Sequence, residues 1–127
     1  MYFERYQENT KVVKIKIFMK VEYFDLKNKR ALISGGASGI GSSIVEHLCE
    51  QGVEVYFFDI NKKEAQKTLS RIKKKNFKIP TFIECNVQKI KQYKNLIFDI
   101  IKKKGPINIL VNNASNDERH SLEQITE

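Results

Sequence analysis

Cysteine is scarce in this sequence. The two that occur, Cys49 and Cys85, stand alone, without the spacing of a metal-ligand set. Long apolar runs are missing too: none approaches the roughly 20 residues needed to carry a helix across a bilayer. Residues 12–19 are interrupted by Lys14 and Lys16, and no small-residue cleavage site follows, which argues against a secretory leader. Lone thiols in a chain with neither feature fit a reducing compartment. The expectation is a cytoplasmic protein with both thiols reduced and no membrane partner. Arginine is rare as well, present only at Arg5, Arg30, Arg71 and Arg119, so the formal net charge of +8 is nearly all lysine. The lysine runs at 73–75 and 102–104 fall where helices should end, and cations there complement the helix dipole. No aromatic residues interleave with them as stacking platforms, so nucleic acid is not an expected partner.

What is present is an ordinary globular balance, 41% hydrophobic and 30% charged over 127 residues, enough for one modest domain. From Lys29 onward, strand and helix signals alternate. Residues 31–34 form a short apolar strand running straight into Gly35. A helix fits 40–51, with Ile40, Ile44 and Leu48 at i, i+4 spacing and Gly52 just past its end. Residues 53–58 are nearly all apolar, β-branched or aromatic, the pattern of a strand covered on both faces. Asn61 is placed to cap a helix whose inner face is Ala65, Leu69 and Ile72, with Asn76 as its stop. A third strand spans 79–85, with Pro80 near its start, where a missing donor does least harm. Ile90, Tyr93, Ile97 and Ile100 or Ile101 line a longer helix that Gly105-Pro106 ends. The fourth strand is 107–111, after which Ser121, Gln124 and Thr126 offer caps for a further helix.

This alternation, with right-handed crossovers, gives an α/β fold: a parallel sheet of about four strands with helices on both faces. It amounts to one mononucleotide-binding half and the start of the next, the N-terminal part of a Rossmann-like domain. That assignment covers 29–127. Residues 1–28 read as an extension and lead-in; residues 14–17 alternate like a strand without an evident partner, and Met19 is a candidate natural start.

The strongest motif is Ser34-Gly35-Gly36-Ala37-Ser38-Gly39-Ile40-Gly41, between a strand and a helix. Gly35 suits a tight turn, Gly39 lets backbone approach a diphosphate, and Gly41 allows close helix packing. Free N–H groups at the helix start, backed by the dipole, would hold the phosphates. No Gly-Lys-Ser/Thr follows, which counts against a phosphotransferase loop. Asp59 ends the second strand about 24 residues after Gly35, where a carboxylate accepts from ribose hydroxyls and repels a 2′-phosphate. This favours NAD over NADP, though Lys62 and Lys63 would soften the discrimination. The alternative role for Asp59 is a carboxylate at the start of the helix near Asn61.

These residues resemble the short-chain dehydrogenase/reductase family. Ser34-Gly35-x-x-x-Gly39-x-Gly41 is similar to its Thr-Gly-x-x-x-Gly-x-Gly, with serine keeping the hydroxyl, and Asn112-Asn113-Ala114-Ser115 to its Asn-Asn-Ala-Gly. Cys85-Asn86-Val87 resembles its Asp-Val step after the third strand. The resemblance implies that Gly35, Ser38, Gly39 and Ile40 line the pyrophosphate and nearby ribose, with Gly41 beneath. Asp59 and Ile60 would hold the adenosine ribose, Asn86 and Val87 the adenine edge, and Asn113, Ala114 and Ser115 the back of the sugar. Asn86 stands where the family has aspartate, and its amide oxygen is expected to accept from the adenine amine. Ser115 replaces a glycine. Asn112 is expected to hold the sheet.

Residues 112–126, with 25–30, are also similar to bacterial NAD-dependent sugar dehydrogenases, of the xylose type that oxidise C1 to a lactone. Asn116, Asp117, Arg119 and His120 then read either as a polar loop at the mouth of the site or as substrate contacts. The family's Tyr-x-x-x-Lys pair, whose tyrosine is the acid/base, follows a fifth strand. The one such string here, Tyr23 to Lys27, precedes the first strand and is rejected as catalytic. The expectation is therefore the cofactor-binding part of an oxidoreductase acting on a small-molecule substrate, inactive by itself, from a family usually homotetrameric. A non-catalytic NAD-binding or partner-docking fragment is the alternative.

Overall fold

A computed structural model describes residues 21–115 throughout, together with the backbone of residues 2–3 and 15–16. Four strands, β1 (Arg30–Ser34), β2 (Glu54–Asp59), β3 (Thr81–Glu84) and β4 (Ile109–Asn112), form one sheet. The order is β3-β2-β1-β4 and every pairing is parallel. The connections are the helices α1 (Gly39–Glu50), α2 (Lys62–Lys74) and α3 (Ile90–Lys104). Strand order therefore reverses at β1, where a doubly wound sheet opens a crevice beyond the carboxyl ends of its strands.

Successive strand residues point to opposite faces, and both faces are covered. On one side Ala31, Ile33, Val55 and Phe57 pack with Val45 and Cys49 of α1 and with Ala65 and Ile72 of α2. On the other, Leu32, Tyr56 and Phe58 pack with Ile100 of α3, flanked by Tyr93, Leu96 and Ile97. The run 55–58 is buried without a break, as its composition anticipates.

The element order agrees with the sequence reading; bounds move by a residue or two. Asn61 caps α2 as expected, its side chain accepting from the Glu64 N–H. Two apolar faces were misjudged. In α1 the buried positions are Gly41, Ser42, Val45 and Cys49, while Ile40 is 75% exposed. The i, i+4 stripe through Ile40 lies to one side of the true inner face, because Gly41 brings that face close to the strand–loop junction. In α3, Ile90 is 62% exposed and Leu96 takes its place against the core. Within the segment that alternates like a strand, Ile15–Lys16 pairs antiparallel with Tyr2–Phe3. The proposed caps at Ser121, Gln124 and Thr126 lie outside the described residues, as do Asn116, Asp117, Arg119 and His120.

Candidate functional site

The loop from β1 to α1 is held by its neighbours at nearly every residue. Gly35 and Gly36 donate their N–H groups to the Phe58 carbonyl at 2.8 and 3.3 Å. The Ala37 N–H donates to Asp59 Oδ2 at 3.0 Å, and the Ala37 carbonyl accepts from the buried Thr68 hydroxyl of α2 at 2.9 Å. From the other side, the Ser34 hydroxyl accepts from the N–H groups of Asn113 and Ala114, at 3.0 and 3.1 Å. The Asn113 amide donates to the Gly35 carbonyl at 2.9 Å. The loop is a preformed shelf, pinned by β2, α2 and the segment after β4.

Two glycines of this shelf have opposite reasons to be glycine. A Cβ at Gly41 would lie 1.9 Å from the Gly35 carbonyl oxygen and 2.6 Å from the Asn113 amide nitrogen, so the helix start could not dock. Gly39, at φ +53°, has no heavy atom within 4 Å of where a Cβ would sit. It faces open space, in a conformation that L side chains rarely adopt. Ser38, the cap of α1, makes no side-chain hydrogen bond to the helix start. The first N–H groups of α1 thus keep their donor capacity, with the positive end of the dipole behind them. Open space, uncapped N–H groups and a glycine backbone make a cradle for an anionic group such as a diphosphate.

A cleft of about 700 Å³ lies over this cradle, between the carboxyl ends of β1, β2, β3 and β4. Of the sequence-predicted residues, Gly35, Ser38, Ile40, Asp59, Ile60, Asn86, Val87, Asn113, Ala114 and Ser115 line it. Gly39 and Gly41 do not: Gly41 is buried below as a packing position, and Gly39 borders the adjoining face of α1. Asp59 takes the helix-start role weighed for it and also lines the cleft. Its Oδ1 accepts from the Asn61 N–H at 2.9 Å, where α2 is about to begin, and Oδ2 braces the Ala37 N–H. Two backbone donors fix the carboxylate at the cleft wall and leave it further lone pairs for a ligand.

Asn112 holds the sheet through its backbone, in register with Ser34 of β1, and Asn113 adds a side-chain tie across the β1–β4 junction to the Gly35 carbonyl. Asn86 Oδ1 accepts from the Gln88 N–H at 2.9 Å in a turn closing the end of β3, which leaves it one lone pair. Such a turn is the local alternative that asparagine offers the backbone. Phe58, Asn61, Cys85 and Gln88 also line the cleft and were not anticipated as site residues. Cys85 is buried in the cleft wall, and that burial pushes its thiol above the usual range. Thr68 was missed too, although a hydroxyl on the Ala65–Ile72 face was the available signal: a buried polar group needs a partner.

Comparison with known proteins agrees with this architecture. The short chain dehydrogenase family model matches residues 29–127. A probable galactose dehydrogenase of Rhizobium meliloti is 31% identical over 106 residues, which are 84% of this chain and 41% of that protein. A D-xylose 1-dehydrogenase of Caulobacter vibrioides is 34% identical over 104 residues, 82% of this chain and 40% of that one. The chain thus spans about 40% of the length of these curated relatives. Among solved structures, an L-sorbose reductase of Gluconobacter frateurii complexed with NADPH and L-sorbose superimposes with a TM-score of 0.65. It is 22% identical, and the match covers 80% of this chain and 38% of that one. With the pinned glycine shelf, the carboxylate at the end of β2 and the family match over 29–127, the chain belongs to the short-chain dehydrogenase family.

Proposed function

We propose that the cleft holds a nicotinamide adenine dinucleotide, with the diphosphate on the α1 cradle and the adenosine ribose on Asp59. Residues 29–127 would then be the cofactor-binding part of an oxidoreductase acting on a sugar or another secondary alcohol or carbonyl. The observation that carries this reading is the Asp59 carboxylate, held by the Ala37 and Asn61 N–H groups beside the uncapped start of α1. That position suits vicinal ribose hydroxyls and repels a 2′-phosphate, so NAD is proposed over NADP. The exposed Lys62 and Lys63 limit the margin, and the NADPH of the sorbose reductase keeps NADP in the comparison. The names of the galactose and xylose dehydrogenases support a sugar substrate.

We further propose a cytoplasmic protein, with residues 1–28 preceding the dinucleotide unit as a lead-in and full-length homotetramers. No helix among the described residues is long and apolar enough to cross a membrane. A Tyr-x-x-x-Lys string does not occur within 29–127, so this chain is expected to bind cofactor without turning over substrate. The test is calorimetric titration of folded protein with NAD and NADP, followed by a hydride-transfer assay with aldoses. NAD should bind at least about tenfold more tightly than NADP, and Asp59→Ala should remove most of that margin and weaken NAD. Folded protein that binds neither dinucleotide would refute the reading, and a robust rate would place the chemistry within these residues after all. A second reading, a non-catalytic partner-docking module, draws on the outer edge of β4, which pairs with no strand among the described residues and where Leu110 is 60% exposed.

A further inference from the structure

Ala37 is buried in the shelf, and the two polar groups of its backbone are held by different elements. Its N–H donates to Asp59 Oδ2 at the end of β2, and its carbonyl accepts from the hydroxyl of Thr68, in the middle of α2, at 2.9 Å. Thr68 is itself only 1% exposed. The next residue is situated differently. Ser38 is exposed and lines the cleft, and its N–H donates to nothing among the described residues. Peptide geometry joins these facts. In a trans peptide, the carbonyl of one residue and the N–H of the next point in opposite directions from one rigid plane. With the Ala37 carbonyl drawn inward onto Thr68, the Ser38 N–H is turned the other way, out of the packed interior. Rotating that plane would leave a buried hydroxyl and a buried carbonyl without their partners, so the bond fixes the orientation.

We propose that Thr68 is a positioning residue of the cleft: it touches no ligand, but it locks the Ala37–Ser38 peptide so that the Ser38 N–H stands ready as a donor beside Asp59. This rests on the reading of the cleft as a dinucleotide site. The group served is an oxygen acceptor of the dinucleotide, which then binds without a reorientation of the loop. Without the hydroxyl, the buried carbonyl seeks another partner and the plane is free to turn, so the donor is lost although nothing at the cleft surface has been changed.

Calorimetric titration of the full chain with NAD, run beside thermal melts, separates positioning from packing. Thr68→Val keeps the volume and removes the hydroxyl; it should weaken NAD by about tenfold. Thr68→Ser keeps the hydroxyl and loses a buried methyl group; it should lower the melting temperature yet bind NAD within about twofold of wild type. Ile72→Val, one turn further along the same buried face of α2, should likewise cost stability and leave NAD affinity unchanged. Saturating NAD should also shift the Ser38 amide resonance of wild-type protein in heteronuclear NMR spectra, a reading that stands whether or not Thr68→Val folds. Affinities that simply follow melting temperature across the three variants overturn the proposal, as does a Ser38 amide that NAD leaves unmoved. If folded wild-type protein binds neither NAD nor NADP, the cleft reading falls and this inference with it; undiminished NAD binding by Thr68→Val removes only the inference.

Discussion

Gly39 and Gly41 are two residues apart on one loop, yet they answer to different constraints. At Gly41 the constraint is space: the nearest atom to an added Cβ is a backbone oxygen at 1.9 Å, which no rotamer change relieves. Gly41→Ala is therefore expected to push α1 off the loop, costing about 1–3 kcal/mol or more in stability and disordering the site with it. At Gly39 the space is empty and the constraint is φ. Gly39→Ala carries about 1–2 kcal/mol of left-handed strain in the backbone that presents the first N–H groups of α1. Thermal melts and NAD titrations of both variants separate the cases: Gly41→Ala should lower both readings, and Gly39→Ala should weaken NAD far more than it lowers the melting temperature. Equal effects on melting would show that the shelf is not pinned where its hydrogen bonds suggest.

At the scale of elements, α1 and α2 lie side by side on one face and are joined by charge as well as by packing. Glu46 of α1 forms ion pairs with Arg71 and Lys75 at the end of α2. The hydrogen bond from Lys75, ahead of the opposing effect of burial and then the bond from Arg71, holds the Glu46 carboxyl below its ordinary value of 4.5. A carboxyl depressed by folding contributes stability that is present above its unfolded pKa and is lost as pH falls through the folded one. Both cations are largely exposed, so the contribution is modest, about 0.5–1 kcal/mol. Glu46→Gln should thus lower the melting temperature by a few degrees at pH 7, and the gap to wild type should close as pH falls from 4.5 through the folded pKa. A gap that persists in acid would assign the loss to packing. At the opposite end of the sheet, Arg30 ties β1 to Glu54 of β2 at 2.7 Å and to the Pro106 carbonyl at 3.1 Å. That fastening is remote from the cleft and is expected to affect stability only.

For the whole molecule the decisive feature is the outer edge of β4. β1 pairs with its inner side, its outer side pairs with no strand among the described residues, and Leu110 is 60% exposed. An open edge with an uncovered apolar side chain is a template for strand addition. Sedimentation or size-exclusion runs over a range of concentrations should show self-association, and Leu110→Lys should suppress it without changing NAD affinity, because Leu110 does not line the cleft. Association unaffected by the substitution would point elsewhere, with the exposed Ile90 and Phe98 of α3 as the next patches to examine.

The local signals in the chain determined a great deal. Unbroken apolar composition at 55–58 dictated a doubly covered strand, Asn61 and Gly105 set helix ends, and the glycine spacing marked the tight turn between β1 and α1, since each depends on near neighbours in sequence. Periodicity could not say which of two adjacent stripes on α1 would face inward. That was decided by the Gly41–Gly35 approach, a contact between elements. The partners of Ser34, Asn113 and Thr68 were likewise invisible in one dimension, because they lie 31 to 80 residues apart along the chain. The orientation of the Asn86 amide needed the turn at Gln88 to form first. Composition and spacing specify what a segment can become; which atoms a polar group spends its hydrogen bonds on is settled only when distant segments meet and every buried donor must find an acceptor.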